Sequence, residues 1–217
     1  WVRNLRARHP GVVFENCSSG AMRADFAMLE LFDLQSTSDQ EDYRLYSTIA
    51  AAAPAQMLPE QAGNWAYPQC WMTDEQISYT MITGLAGRLY LSGFLDSLRA
   101  EQFGLVRAAC DLFKHIREDV ALSLPDWPLG MPEWYGTHHA LRLTGPGRTL
   151  LYVWHREGDA DAEFDLDLGA GITAAQLAEL YPVHHTPWAL HDRADGVIRV
   201  HPGVAGPSAR LYQIQPR

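Results

Sequence analysis

Residues 14–42, FENCSSGAMRADFAMLELFDLQSTSDQED, decide how the rest of the chain is read. The apolar run Val12-Val13-Phe14 stops at polar Glu15-Asn16-Cys17 and enters the small-residue loop Ser18-Ser19-Gly20. A helix-like segment follows. A second extended run, residues 34–37, then closes in Ser38-Asp39-Gln40-Glu41-Asp42. Twice a strand-like run delivers a burst of reactive side chains at its C-terminal end, where barrels of alternating strands and helices carry their catalytic groups.

Outward from that stretch, the strand–helix alternation continues. His9-Pro10-Gly11 stops an opening helix, and residues 12–15 read as a short buried strand of the parallel kind. Residues 25–31 read as helical or irregular, with Phe26, Leu29 and Met28 pointing inward. Residues 35–38 are the next strand, and residues 42–53 a helix starting near the acidic cluster. Thr73 and Gln76 form a capping box for a helix to Leu85. Residues 87–93 are expected as a buried strand. Residues 101–124 hold the longest helix, with Phe103, Val106, Leu112, Ile116 and Val120 at helical spacing. Three prolines in residues 125–132 then mark a boundary. Beyond it come short β runs at 140–143, 149–155, 163–168, 197–201 and 209–214, with Gly-rich turns between them, and Thr173 able to cap a brief helical turn.

The expected fold is α/β. Residues 1–130 form the C-terminal half of a (β/α)8 TIM-type barrel, strands five to eight, and residues 131–217 a small all-β antiparallel sandwich. Half a barrel leaves open strand edges and an uncovered core face. The opening WVRNLRAR reads as the last turns of a helix without Met or N-cap, so a fragment of a longer protein is expected, its N-terminal part missing.

Composition limits the function. With 217 residues, 47% of them hydrophobic and 20% charged, the chain is globular rather than disordered. Its formal net charge of -9 disfavours nucleic acid or an anionic membrane as partner. Cys17, Cys70 and Cys110 are odd in number and widely spaced, which suits a reducing compartment, so the cytoplasm is expected. The pairs His138-His139 and His184-His185 do not make a metal site. Neighbours on a strand point to opposite faces, and no third ligand stands at zinc spacing.

Asn16-Cys17-Ser18-Ser19-Gly20-x-x-Arg23-x-Asp25, followed by Thr37-Ser38-Asp39-x-x-Asp42, resembles the signature of the family 36 glycoside hydrolases, the microbial α-galactosidases. Arg8-His9-Pro10-Gly11, Pro59-Glu60-Gln61 and Gly84-x-x-Gly87-Arg88 extend the likeness. The resemblance implies a retaining α-galactosidase that hydrolyses terminal α-D-galactosides of melibiose or raffinose type, needs no cofactor and assembles as a homo-oligomer.

By the same resemblance Asp39 is the catalytic acid/base, while Cys17 and Gly20 touch the galactose. From spacing alone, an Asp that N-caps the following helix is the ordinary reading of Asp39. Its apolar strand and the nearby Glu41 and Asp42 are the kind of surroundings that raise a carboxyl pKa for general-acid work. Retaining chemistry requires a second carboxyl about 5–5.5 Å away. The family carries that nucleophile in a Lys-x-Asp motif on the fourth strand. The motif does not occur here, so the chain alone is expected to be inactive. Where the family has Gly-Gly, this chain has Gly20-Ala21, and an Ala Cβ is expected to narrow the pocket or shift the loop. Arg23 and Asp25 read as a loop-shaping ion pair, and Trp65 and Tyr67 as loop aromatics that belong to the core or to a sugar platform. A non-catalytic carbohydrate-binding or regulatory protein on a degenerate glycosidase scaffold is the competing function.

Overall fold

The strand–helix rhythm of the N-terminal part condenses onto one parallel sheet. The computed structural model describes residues 1–17 and 20–216. Its elements begin with α1 (Val2–Arg8), β1 (Glu15–Asn16), α2 (Phe26–Leu29), β2 (Leu34–Ser36) and α3 (Tyr43–Ala52). These are followed by β3 (Ala62–Ala66), α4 (Asp74–Leu85), β4 (Arg88–Leu91) and α5 (Ala100–Ala121). Strands β1, β2, β3 and β4 pair in that order, all parallel. The C-terminal ends of all four therefore open onto one edge, and their loops share it.

Helix α4 explains how the sheet is backed. Every residue from Ile77 to Leu85 is buried, as expected of a helix enclosed on all sides. Thr73 and Gln76 close the predicted capping box at its start. A Cβ on Gly84 would collide with Leu89 Cδ1 and lie 3.1 Å from the Ala66 Cβ. Only glycine allows the helix to lie that close to β3 and β4.

The chain then turns antiparallel. The remaining strands are β5 (Leu124–Asp126), β6 (His138–Thr144), β7 (Thr149–His155), β8 (Phe164–Asp167), β9 (Leu177–Tyr181), β10 (Ala189–Asp192), β11 (Val197–His201) and β12 (Ser208–Ile214). They form a five-stranded sheet, β5-β6-β7-β12-β9, and a three-stranded sheet, β10-β11-β8. A core between them gathers Leu151, Val153, Leu166, Ile198 and Val200. The other face of the larger sheet shares a core with the helices, through Leu141, Tyr152, Trp154 and Leu211 packed with Ile77, Ile82 and Ile116. Full burial of each such side chain contributes about 1.5–3 kcal/mol. The overall architecture is thus mixed α/β, one parallel sheet joined to two antiparallel ones.

Hydrogen bonds tie that junction. Trp154 Nε1 donates to Thr83 Oγ1 at 3.1 Å, Tyr152 Oη to the Leu85 carbonyl at 2.9 Å, and Trp127 Nε1 to the Ala51 carbonyl at 2.7 Å. Arg210, fully buried, donates to both carboxylate oxygens of Glu75 at the start of α4, at 2.8 and 2.9 Å. Its guanidinium also lies 5.2 Å from the Trp188 ring centre.

Several sequence expectations change. Phe26 is 80% exposed because α2 is a single turn that buries none of its residues. The expected strand at 12–15 is only Glu15–Asn16, and Val12 and Val13 are exposed. Strand β4 is half-buried rather than buried, and Phe103 on α5 faces outward. Strand β5 lies in the proline-rich boundary, and β9 and β10 form where the sequence analysis placed no element. Pro125 in β5 is tolerated because β5 is an edge strand, where the missing N–H faces away from the ladder. The brief turn at Ala174–Gln176 does form, capped by Thr173 and Gln176. Among the described residues no helix is long and apolar enough to cross a membrane.

Candidate active site

The site grows from the C-terminal ends of β1 and β2, which a buried polar ladder holds in place. Asn16 Nδ2 donates to Gln35 Oε1 at 2.6 Å and to the Arg23 carbonyl at 3.0 Å, joining the loop after β1 to β2. Thr37 Oγ1, just past β2, lies 2.5 Å from Tyr46 Oη and 3.0 Å from both the Gly63 carbonyl and Asn64 Oδ1. Tyr46 Oη in turn accepts from the Trp65 N–H at 2.9 Å. Burial pushes the Tyr46 pKa up, so this hydroxyl stays neutral and can both donate and accept. Thr37, the first residue of Thr-Ser-Asp, is therefore an anchor that fixes where Asp39 emerges.

Beyond Thr37 the loop is shaped by its own side chains. Ser38 Oγ accepts from the Gln40 N–H, and Gln40 Oε1 accepts from the Asp42 N–H. Asp42 Oδ1 accepts from the Arg44 N–H at 2.9 Å and caps α3. The cap of this helix is thus Asp42, and Asp39 is left unused by it. Burial opposes ionisation of Asp42, but the Arg44 guanidinium and N–H prevail and hold its carboxyl below the usual range. Asp39 is exposed, not shielded by the apolar strand before it, and its carboxylate has no ion-pair or hydrogen-bond partner among the described residues.

Gly20 meets this loop directly. Its φ is +69°, and a Cβ built there would stand 2.7 Å from both Asp39 N and Ser38 Cα. Any side chain at position 20 would drive the two loops apart. Sequence reasoning placed Gly20 and Asp39 in one site, and the fold packs their backbones against each other. Cys17 is exposed with a free thiol at the end of β1. Ser18 and Ser19, part of the same motif, lie outside the described residues. Ala21 does not enter the main cavity. It joins a small cluster with Ala24, Leu29, Ala53 and Met57 and lines a separate cavity of about 380 Å³ beside the end of α3. No ion pair joins Arg23 to Asp25 among the described residues, and Asp25 instead caps α2 by accepting from the Met28 N–H at 2.9 Å.

A cavity of about 810 Å³ opens two residues beyond Asp39. Its walls come from the loops after three successive strands: Glu41 after β2, Tyr67, Gln69 and Trp71 after β3, and Phe94 after β4. Asp39 is not itself a wall, but its charge reaches Tyr67. Burial first, then the Glu41 and Asp39 carboxylates, push the Tyr67 pKa upward. Trp65, expected on the loop, is in β3. Its indole donates to Ser36 Oγ at 3.1 Å and meets Tyr90 edge-on at 5.0 Å, so it packs the sheet. Sequence reasoning missed Trp71 and Phe94. The available signal was a large exposed aromatic in each loop that follows a strand.

His138 and His139 are engaged within the fold. On β6, His139 Nε2 contacts Thr48 Oγ1 at 2.9 Å, while His138 Nε2 contacts His155 Nδ1 at 3.1 Å on the opposite face. Among the described residues no group of three His, Cys, Asp or Glu side chains is arranged to hold a metal.

No family model matches the chain, and no curated protein sequence matches it. Solved structures do. A variant of the GH36 α-galactosidase AgaA from Geobacillus stearothermophilus, in complex with 1-deoxygalactonojirimycin, superposes with a TM-score of 0.75 over 99% of this chain and 30% of that chain, at 16% identity. A second AgaA variant, in complex with raffinose, gives a TM-score of 0.70 over 98% of this chain and 30% of that chain, at 17% identity. The α-galactosidase of Lactobacillus brevis gives 0.65 over 99% of this chain and 30% of that chain, at 13% identity. The chain spans about 30% of the length of each of these structures. Its fold is that of the C-terminal region of the family 36 α-galactosidases.

Proposed function

We propose that this chain carries the acid/base half of a retaining α-galactosidase site, with Asp39 as the general acid and base and with Cys17 and Gly20 facing the galactose. In this reading residues 1–130 are strands five to eight of a (β/α)8 barrel and residues 131–217 its β-sandwich neighbour. The nucleophilic carboxylate comes from polypeptide outside this chain, in a cytoplasmic homo-oligomer. Asp39 protonates the glycosidic oxygen as the bond to C1 breaks and the outside carboxylate bonds to C1. It then takes a proton from the water that displaces that carboxylate. One observation carries the reading: Gly20, in a conformation that excludes other residues, rests on the backbone of an Asp39 whose carboxylate the following helix does not use. The α-galactosidases of like fold, two of them bound to 1-deoxygalactonojirimycin and raffinose, support the substrate class.

The test is turnover of an α-galactoside by the complete natural polypeptide and by its Asp39→Asn and Cys17→Ala variants. Asp39→Asn is expected to lower kcat by about 10²–10⁴-fold. Cys17→Ala is expected to act mainly on sugar binding. A wild-type rate in Asp39→Asn removes Asp39 from the mechanism.

A non-catalytic carbohydrate-binding protein is the second reading. It is favoured by one observation: the nearest acid with a fixed partner, Asp42, is committed to Arg44 and to capping α3. Sugar binding without turnover by the complete polypeptide decides for it.

A further inference from the structure

Helix α3 enters the candidate site twice. Asp42 caps its start, and one turn later Tyr46 reaches back towards the strands with a buried ring. The Tyr46 N–H donates to the Asp42 carbonyl at 2.8 Å, so the helix's own ladder fixes the two residues to each other. Tyr46 is 1% exposed and Thr37 3%. Apart from each other, their hydroxyls bond to Gly63, Asn64 and Trp65, all on β3. The arrangement is closed within this chain and involves none of its open surface.

Counting protons gives the bonds a direction. A backbone N–H only donates, so the Tyr46 oxygen accepts from Trp65 at 2.9 Å. The single Tyr46 proton then has Thr37 Oγ1 at 2.5 Å, against 3.5 Å to the Gly63 carbonyl. The single Thr37 proton has two acceptors at 3.0 Å, the Gly63 carbonyl and Asn64 Oδ1. Thr37 therefore accepts from Tyr46. The bonds run from β3 through Tyr46 to Thr37 and back to β3, a circuit in which each bond polarises the next.

Asp39 depends on that circuit because little else fixes it. Only Ser38 separates it from Thr37, and its carboxylate has no hydrogen-bond or ion-pair partner among the described residues. Gly20 blocks one side of its backbone, while Gln40 and the Asp42 cap hold the far end of the turn. The Asp39 charge also reaches the Tyr46 hydroxyl, whose pKa is raised by burial first and by Asp39 in smaller part.

We propose that Tyr46 is a positioning residue: its hydroxyl, acting through Thr37, holds the Asp39 carboxyl where it can protonate the departing oxygen. The inference rests on the acid/base reading of Asp39 and names the group outside the motif on which that acid depends.

Two substrates of the complete natural polypeptide read the placement of the acid. The sugar that leaves raffinose needs a proton, whereas the fluoride of α-galactosyl fluoride departs almost without one. Tyr46→Phe is expected to lower kcat/KM for raffinose about tenfold and to change it for the fluoride by less than about twofold. Thr37→Val should show the same selective loss, and Thr37→Ser, which keeps the hydroxyl, should retain most of the raffinose rate. Because the two hydroxyls act as one unit, the double variant Tyr46→Phe/Thr37→Val should lose little more than Thr37→Val alone. A fall of both substrates together would mean that Tyr46 holds the fold and not the acid, and overturns the inference. So does an unchanged raffinose rate, or a double variant whose losses multiply. Asp39→Asn separates this inference from the reading beneath it. Selective loss in Asp39→Asn but not in Tyr46→Phe overturns the role of Tyr46 alone, whereas no selective loss in Asp39→Asn removes both.

Discussion

The two kinds of sheet spend their side chains differently. In the antiparallel region several large polar groups are taken inside and paired. Arg210 meets Glu75 and Trp188, His139 meets Thr48, and Tyr152 and Trp154 bond to α4. At the edge of the parallel sheet, polar and aromatic groups are held at the surface instead. Asp39 is unpaired among the described residues, Cys17 is exposed, and Trp71 and Phe94 wall an open cavity. The difference teaches where each kind of substitution should register. Changes in the antiparallel region should cost stability, and changes on the loops should cost function at little cost in stability.

The sharpest challenge to that division is Arg210→Ala. It leaves Glu75 without its bidentate partner and Glu179 beside it uncompensated, and is expected to cost about 3–5 kcal/mol in urea unfolding. A loss below about 1 kcal/mol would mean that the junction does not hold the two regions together. The matching loop test is Gly20→Ala. The added Cβ meets Asp39 N in a left-handed conformation, so a loss of about 1–2 kcal/mol is expected, with a larger effect on turnover than on Tm. Asp39→Asn, by contrast, should leave stability within about 0.5 kcal/mol of the unaltered protein.

Titration sharpens the comparison. Burial first, and then neighbouring charge, lowers the His138 and His139 pKa values to about 4, and burial lowers that of His155. In the unfolded chain these groups titrate near pH ~6.5. The folded state thus binds fewer protons below that value, and their stabilisation is lost as pH falls from about 6.5 towards 4. Glu179 acts oppositely. Burial outweighs Arg210 and raises its pKa to about 7, so its contribution is lost as pH rises towards 7. Thermal melts across pH 4–8 are expected to show the histidine limb, and Glu179→Gln should flatten the upper one. A modest effect is expected of Thr48→Val, which removes the hydroxyl facing His139 and should cost about 1 kcal/mol. No change in that variant would place the α3–β6 contact outside the junction.

Long periodic segments could be read from residue order. Helices α4 and α5, the Thr73–Gln76 capping box and strands β7 and β11 lie where apolar period and cap chemistry placed them, because those signals are local. Strand β9 was hidden because Leu177–Tyr181 carries good helix formers, and only pairing with β12 makes it extended. Phe26 was misplaced because periodicity cannot tell a single solvent-facing turn from a packed one.

Residue order by itself determined the reactive bursts after β1 and β2 and the parallel-then-antiparallel rhythm. Only the tertiary structure decided that Asp42 rather than Asp39 caps α3, that Ala21 packs away from the main cavity, and that Trp71 and Phe94 stand with Tyr67 around one space. The physical reason is range. Turns and caps are set within a few residues, whereas a cavity exists only once β2, β3 and β4 are paired and their loops are brought to the same edge.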